Sequence, residues 1–355
     1  MSTVYIRFTA RAAGPLQRAP VLERLIARAA SAKSGAAWRD EAFLAIADSQ
    51  AMPAVGSAAL CGAGTVAAGP GTSAWVCVAS PLHLVAGMQD VMLQEDGVLE
   101  LDASEAAALA SDFNHVFDDG GTRLLAGRGG VLLCVFDRML EVETRDPDDM
   151  LGSDVFGFQA GGADAPRLRR LMSEMEMWLF DHAVNRARAA RGMPAVSSLW
   201  LWGGGPVLAA LPRVHGWTAG RDPLFSAFGD RLTFPGAEPP GVAAAEMRAE
   251  VSAAAEAGRV IGAAKATAAR TVAGTERGAG PSAGVLVCAE RPGSTVWAEV
   301  ERRWLAPALA ALRAGRIERL ALSTGGLRFD VDKGSSWRFW RRPRPWWESF
   351  EFERG

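Results

Sequence analysis

The chain has 355 residues, 49% of them hydrophobic and 22% charged, with a formal net charge of −2. That length allows one large domain or two ordinary ones with substantial cores, and the near-neutral charge excludes a global electrostatic pull toward nucleic acid. The opening "MSTVYIRFTARAAGP" lacks the apolar centre of a signal peptide, and no run approaches the roughly 18 apolar residues of a membrane-spanning helix, so a cytoplasmic protein with no membrane partner is expected.

In chain order, "VYIRFTA" alternates as a strand. Pro20 opens "PVLERLIARAASA", whose Val21, Leu22, Leu25, Ile26 and Ala29 fall at helical spacing and predict one inward face. "AAWRDEAFLAIA" predicts a second helix, and the Ala/Gly/Pro-rich stretch 49–73 reads as loop and turn. "SAWVCVASPLHLVA" starts as a strand, and "DVMLQEDGVLEL" reads as a hairpin turning at Asp96-Gly97. "DASEAAALASDFNHVF" predicts a helix capped by Asp102 or Ser104, with Glu105 in its first turn. "TRLLAGRGGVLLCVF" gives two strands around Gly127–Gly130, and 145–164 reads as a surface loop.

From Ala165 the pattern predicts one long helix, stopped at Gly192. "SSLWLWGGG" then reads as a buried strand running into a glycine loop. An alanine-rich stretch 243–272 follows, predicted helical. Beyond it come candidate strands "AGVLVCAE", "IERLALSTGG" and "SWRFWRR", with the helix "TVWAEVERRWLAPALAALRAG" between the first two. Strands alternating with helices at both ends argue for an α/β architecture. Cys61, Cys77, Cys134 and Cys288 form no CxxC pair, so buried thiols are expected and no metal or other cofactor.

At "LFDHAVNRARAARGMPAVSSLWLWGGG" the sequence resembles the archaeal-type cofactor-independent phosphoglycerate mutases, at Asn185, Arg188, Gly192, Trp202, Gly203 and Gly205. Ser197 stands where that family often has Asn. Over nearly the whole chain it resembles the RpfE-type bacterial regulatory proteins, through "PVLERLIARA", "ASPLHLVAGMQDVML", the stretch just quoted and "WRFWRRPRPWW". The resemblance implies an alkaline-phosphatase-like open sheet, formed by residues 1–72 and 206–355. An inserted α+β module, 73–205, would correspond to the mutases' substrate-binding insert.

The mutase chemistry requires a serine nucleophile and two divalent metals held by Asp and His side chains, which neutralise a phosphate and make an alkoxide available. Several of the matching positions depart from that set. The first strand ends at Thr9 and Arg11 instead of Asp, and Gly56-Ser57 is followed by Ala58 instead of Asp. The late strand ends at Ala289 and Glu290 without His, and "LALSTGG" replaces an Asp-His pair. Asp181-His182 is the one remaining Asp-His pair, and neighbouring helix positions point about 100° apart, too far for joint chelation. His83, in "SPLHL", reads as a structural turn histidine.

No catalytic residue and no metal ligand is therefore expected. The reading is a non-catalytic regulatory or protein-interaction protein; the alternative is a divergent mutase or phosphatase. Two surfaces remain as candidate binding sites. Arg188 and Arg191, three positions apart on one helical face, could fork an anionic small molecule beside backbone donors of Gly203, Gly204 and Gly205. Arg341, Arg342, Arg344 and Trp346, in "SWRFWRRPRPWW", offer a surface for a protein partner; nucleic acid or a membrane surface is the less favoured occupant. The alternation there predicts an edge strand, with Trp337 and Trp340 in the core and the arginines facing water.

Overall fold

A computed structural model describes residues 3–7, 18–29, 31–34, 38–47, 51–63, 74–117, 121–214, 217–220, 222–228, 284–287, 301–324 and 327–349. The alanine-rich stretch 243–272, Thr9, Arg11, His215, Ala289 and Glu290 lie outside the described residues. In chain order the strands are β1 (Thr3–Arg7), β2 (Ser31–Ser34), β3 (Trp75–Ala86), β4 (Val91–Val98), β5 (Thr122–Ala126) and β6 (Leu132–Phe136). They continue as β7 (Ser153–Asp154), β8 (Ser198–Pro206), β9 (Trp217–Gly220), β10 (Gly284–Val287), β11 (Arg319–Thr324) and β12 (Leu327–Asp332). The α-helices are α1 (Pro20–Arg28), α2 (Trp38–Ile46), α3 (Val55–Ala63), α4 (Ala103–Val116), α5 (Ala165–Phe180), α6 (Ala183–Ala190), α7 (Pro223–Ser226) and α8 (Ala306–Arg313). The protein is a mixed α/β chain.

Its contacts divide it into two units. One comprises 1–38, 215–219 and 232–355; the other comprises 39–214 and 220–231. Most of α2 and all of α3, which the sequence groups with the flanking segments, pack in the second unit.

The first unit holds a six-stranded sheet in the order β2-β12-β11-β1-β10-β9. β1 runs parallel to β10 and β11, while β12 is antiparallel to both β11 and β2. Helix α1 forms as its spacing predicts, with Pro20 at the first turn and Leu22 and Leu25 buried. It has no side-chain cap of its own. Glu301 supplies one, its Oε1 accepting from Val21 N at 2.5 Å and Leu22 N at 3.0 Å. Burial raises the Glu301 pKa, while these two N–H donors oppose the rise. Leu22 and Leu25 join Leu309 and Leu312 of α8, Val4 and Ile6 of β1, Leu320 and Leu322 of β11 and Trp346 in one apolar cluster.

Beyond β12 no strand forms among the described residues. A 3-10 turn at Ser335–Trp337 and another at Trp346–Ser349 bracket an irregular arch. Ser335 Oγ accepts from Asp332 N, and Asp332 Oδ1 accepts from Ser335 N, so the backbone turns away before an edge strand can begin. The predicted core positions are reversed as a result. Trp337 and Trp340 are exposed, and Trp346 is buried.

The second unit is built on β3, twelve residues long, in an antiparallel sheet ordered β5-β6-β3-β4-β7. β8 lines one edge of β3; β6 and β4 share the other, β6 beside Trp75–Val78 and β4 beside Leu82–Ala86. The β3–β4 turn lies at Gly87–Asp90, where Gly87 N donates to Asp90 O, instead of at Asp96-Gly97. Strand β4 runs on through both residues, with Gln94–Gly97 bulging opposite His83 between the Leu84–Leu93 and Leu82–Val98 pairs. The stretch 145–164 is not all surface, since Met150 and Val155 are buried.

The stretch predicted as loop contains α3, "VGSAALCGA", whose small residues let it lie against β3 and β8. Above it the three glycines continue β8. Val76 faces Gly205 and Val78 faces Trp202, so Gly203 and Gly204 together oppose Cys77. This is a bulge with a left-handed first residue, Gly203 at φ 64°, a conformation costly for any other side chain. A Cβ on Gly204 would fall inside the Trp75 ring, and one on Gly205 would meet Ala54 and Ser57. The glycines therefore serve close packing.

The long helix predicted from Ala165 to Gly192 is two helices. Helix α5 ends at Phe180, and His182 caps α6, its Nδ1 accepting from Val184 N at 3.2 Å. The predicted stop holds. Gly192 has φ 68°, with its N–H on Ala189 O and the Met193 N–H on Arg188 O, a Schellman ending.

Candidate functional site

Helix α4 begins with a capping box. Asp102 Oδ1 accepts from Ser104 N and Glu105 N, and Glu105 Oε2 accepts from Asp102 N. The Ser104 hydroxyl on Asp102, together with these amides and nearby Arg191, lowers the Asp102 pKa. The box aims the buried Glu105 carboxylate at α6. Arg188 Nη1 donates to Glu105 Oε2 at 2.8 Å, and Arg191 Nη2 donates to Glu105 Oε1 at 2.5 Å. Arg188 Nε binds Pro194 O, its Nη1 also reaches Glu100 O, and the side chain is 1% exposed.

The two arginines thus converge on the chain's own carboxylate. They sit near the start of β8, and Gly203–Gly205 occupy its far end. Asn185 marks the separation, its amide binding Leu179 O and both backbone groups of Val196, just before β8. The structure does not bring the arginine pair and the glycines together. Ser197 occupies a backbone role, with its Oγ accepting from Leu84 N and donating to Leu82 O.

Ser57 lies in α3, 1% exposed, and its Oγ has no hydrogen-bond partner among the described residues. His83 is in β3, not in a turn, with Nδ1 2.9 Å from Ala195 O. Among the described residues no group of three His, Cys, Asp or Glu is arranged to hold a metal.

The sequence reading missed a second hub. Arg39 forms ion pairs with Asp146, Asp148 and Asp222 and lies over the Trp202 ring at 4.8 Å. Trp202 also donates its indole N–H to Ser80 Oγ. Nothing in the spacing of these residues marks them as neighbours.

His182 is buried against the Trp178 ring, 4.6 Å between centroids. Burial lowers its pKa; Asp112, 3.2 Å from Nε2, opposes that shift. The unfolded chain therefore takes up a proton first. Stability is full above the unfolded value of about 6.5 and falls as pH drops below it. Protonation also removes the Nδ1 acceptor that caps α6. Thermal melts between about pH 8 and pH 5 should show this decline, and His182→Asn, which keeps a capping acceptor without titrating, should flatten it.

In the first unit the arch carries the other candidate residues. Arg341, Arg342 and Arg344 are exposed, with Arg341 Nη1 donating to Ala29 O at 3.0 Å. Trp346, predicted to belong to the partner surface, is instead 2% exposed in the apolar cluster. Its neighbours Trp337, Phe339 and Trp340 take the outer positions.

No family model matches the sequence, and no curated protein matches it. Among solved structures, the chain is similar to the cofactor-independent phosphoglycerate mutase from Thermoplasma acidophilum DSM 1728. The identity is 14% over 94% of this chain and 90% of that one, with a TM-score of 0.34. It is similar also to the PH0037 protein from Pyrococcus horikoshii, at 12% identity over 90% of this chain and 81% of the other, with a TM-score of 0.33. Likenesses this loose assign no residue a role.

Proposed function

We propose that the protein is non-catalytic and regulatory, acting by binding on a scaffold that resembles a phosphoglycerate mutase. The observation that carries this reading is Ser57. The serine that the resemblance would make a nucleophile is buried in α3 against β3 and β8, with an unpartnered hydroxyl. A nucleophile needs a base within hydrogen-bond reach and access to substrate, and among the described residues Ser57 has neither. Arg188 and Arg191, which a phosphate would need free, are engaged by Glu105.

The purified protein should fail to interconvert 3- and 2-phosphoglycerate and should hold no stoichiometric manganese, zinc or magnesium. Ser57→Ala should melt at or above wild type, because it removes a buried hydroxyl that makes no bond. Mutase turnover with about two metal ions per chain, abolished by Ser57→Ala, would overturn the reading.

A further inference from the structure

The chain leaves the core of the first unit after Ser336 and re-enters it at Trp346. Between them Trp337, Phe339 and Trp340 are 59%, 79% and 66% exposed. Phe339 and Trp340 pack edge-to-face, 5.4 Å between centroids at 81°, so they form a knob that stands out of the surface. The three rings expose on the order of 400 Å² of aromatic area, the size of the largest apolar patch on a typical monomer, which is often functional.

Along the arch the charge has one sign, between the exposed carboxylates of Asp332 and Glu348. Residues 333–347 include Lys333, Arg338, Arg341, Arg342 and Arg344 and no Asp or Glu, in a chain whose net charge is −2. Arg313 lies over the Trp337 ring at 5.7 Å, and Arg28 donates to Ser336 O. Burial lowers the Arg28 pKa, and the like charges of Arg313 and Arg24 lower it further, so cations crowd this face. Arg338 and Arg341 both donate to Ala29 O at the end of α1, which fixes the arch in place. Arg342 and Arg344 pair with no carboxylate among the described residues.

We infer that the arch 337–344 is a peripheral contact site for an anionic lipid surface, with the aromatic knob at headgroup depth and the arginines on lipid phosphates. Three aromatic rings ringed by cations match the two components of interfacial binding, apolar insertion and attraction to anionic headgroups. Guanidinium groups pair bidentately with phosphate oxygens. A stacked nucleic-acid platform fits less well. Phe339 and Trp340 close on each other nearly at right angles, and a guanidinium covers Trp337. An acidic protein surface would meet the same cations, so the test includes polyglutamate. No helix of the described residues is long and apolar enough to cross a membrane, so the contact lies on the surface.

Sedimentation of the full chain with vesicles of phosphatidylglycerol, and separately of phosphatidylcholine, tests the proposal. The chain should sediment with phosphatidylglycerol at low ionic strength, be released as salt rises, and stay free of phosphatidylcholine. Phe339→Ala with Trp340→Ala should weaken binding about tenfold or more, and Arg342→Ala with Arg344→Ala roughly thirtyfold. Both double variants should melt as wild type does, since the four side chains are exposed. No sedimentation with phosphatidylglycerol at low salt would overturn the proposal, as would binding that neither variant weakens. Binding to oligo(dT) or polyglutamate, with vesicles left free, would also overturn it. Each outcome is independent of mutase activity.

Discussion

Trp346→Ala is expected to destabilise the first unit by roughly 3–5 kcal/mol, while Trp340→Ala changes stability by no more than about 0.5 kcal/mol. Both are tryptophans of one short segment, six positions apart. Trp346 lies in the apolar cluster that includes Leu22 and Leu309, against α1 and with Trp347 edge-on at 5.6 Å, so truncation leaves a cavity in that cluster. The surrounding backbone cannot collapse into that space without moving α1 from its Glu301 cap and its Ala29 anchor. Trp340 leaves no cavity, because water already covers most of it. Urea unfolding of both variants against wild type gives the comparison. A Trp346→Ala protein as stable as wild type would remove this residue from the core, and a strongly destabilised Trp340→Ala would restore the edge-strand reading of the tail.

The tail shows why part of the structure was not legible in the sequence. Alternating Trp and Arg is the signature of a half-buried strand, but a strand also needs a neighbour with free backbone groups. The Asp332–Ser335 turn takes the chain off the sheet first. The same limit explains β8. "WLWGGG" reads as a strand entering a loop because glycine is disfavoured in strands, yet Trp75 and Ala54 leave room only for glycine, and the ladder with β3 continues.

Features set by local chemistry were legible. Pro20 opened α1, Asp102, one of the two candidate caps, capped α4, and Gly192 ended α6. The break at His182 was not, because histidine is an unusual cap and the apolar spacing runs on through it. As for the binding candidates, sequence brought Arg188 and Arg191 to one face correctly. It could not supply Glu105, 83 positions from Arg188, as the anion already there.

That contact sets the second large effect. Arg188→Ala should cost about 3–5 kcal/mol, the range for breaking a buried ion pair by removing one partner. The loss has identifiable parts. Glu105 stays buried and keeps Arg191, a half-exposed partner that offsets only some of its desolvation. The carbonyls of Pro194 and Glu100 lose their donor, and the space of a fully buried side chain opens between α4 and α6. Glu105→Gln keeps the shape and an acceptor but leaves the Arg188 guanidinium without a counter-charge, so it too should be destabilising. If one contact underlies both losses, the two changes together must cost less than their sum, by about 1–3 kcal/mol in a double-mutant cycle. Urea unfolding of the four proteins measures that difference. Strict additivity would mean that Arg188 and Glu105 act separately in the folded protein. Arg188 would then be stabilising through its carbonyl contacts alone, and Glu105 through Arg191 and the Asp102 amide.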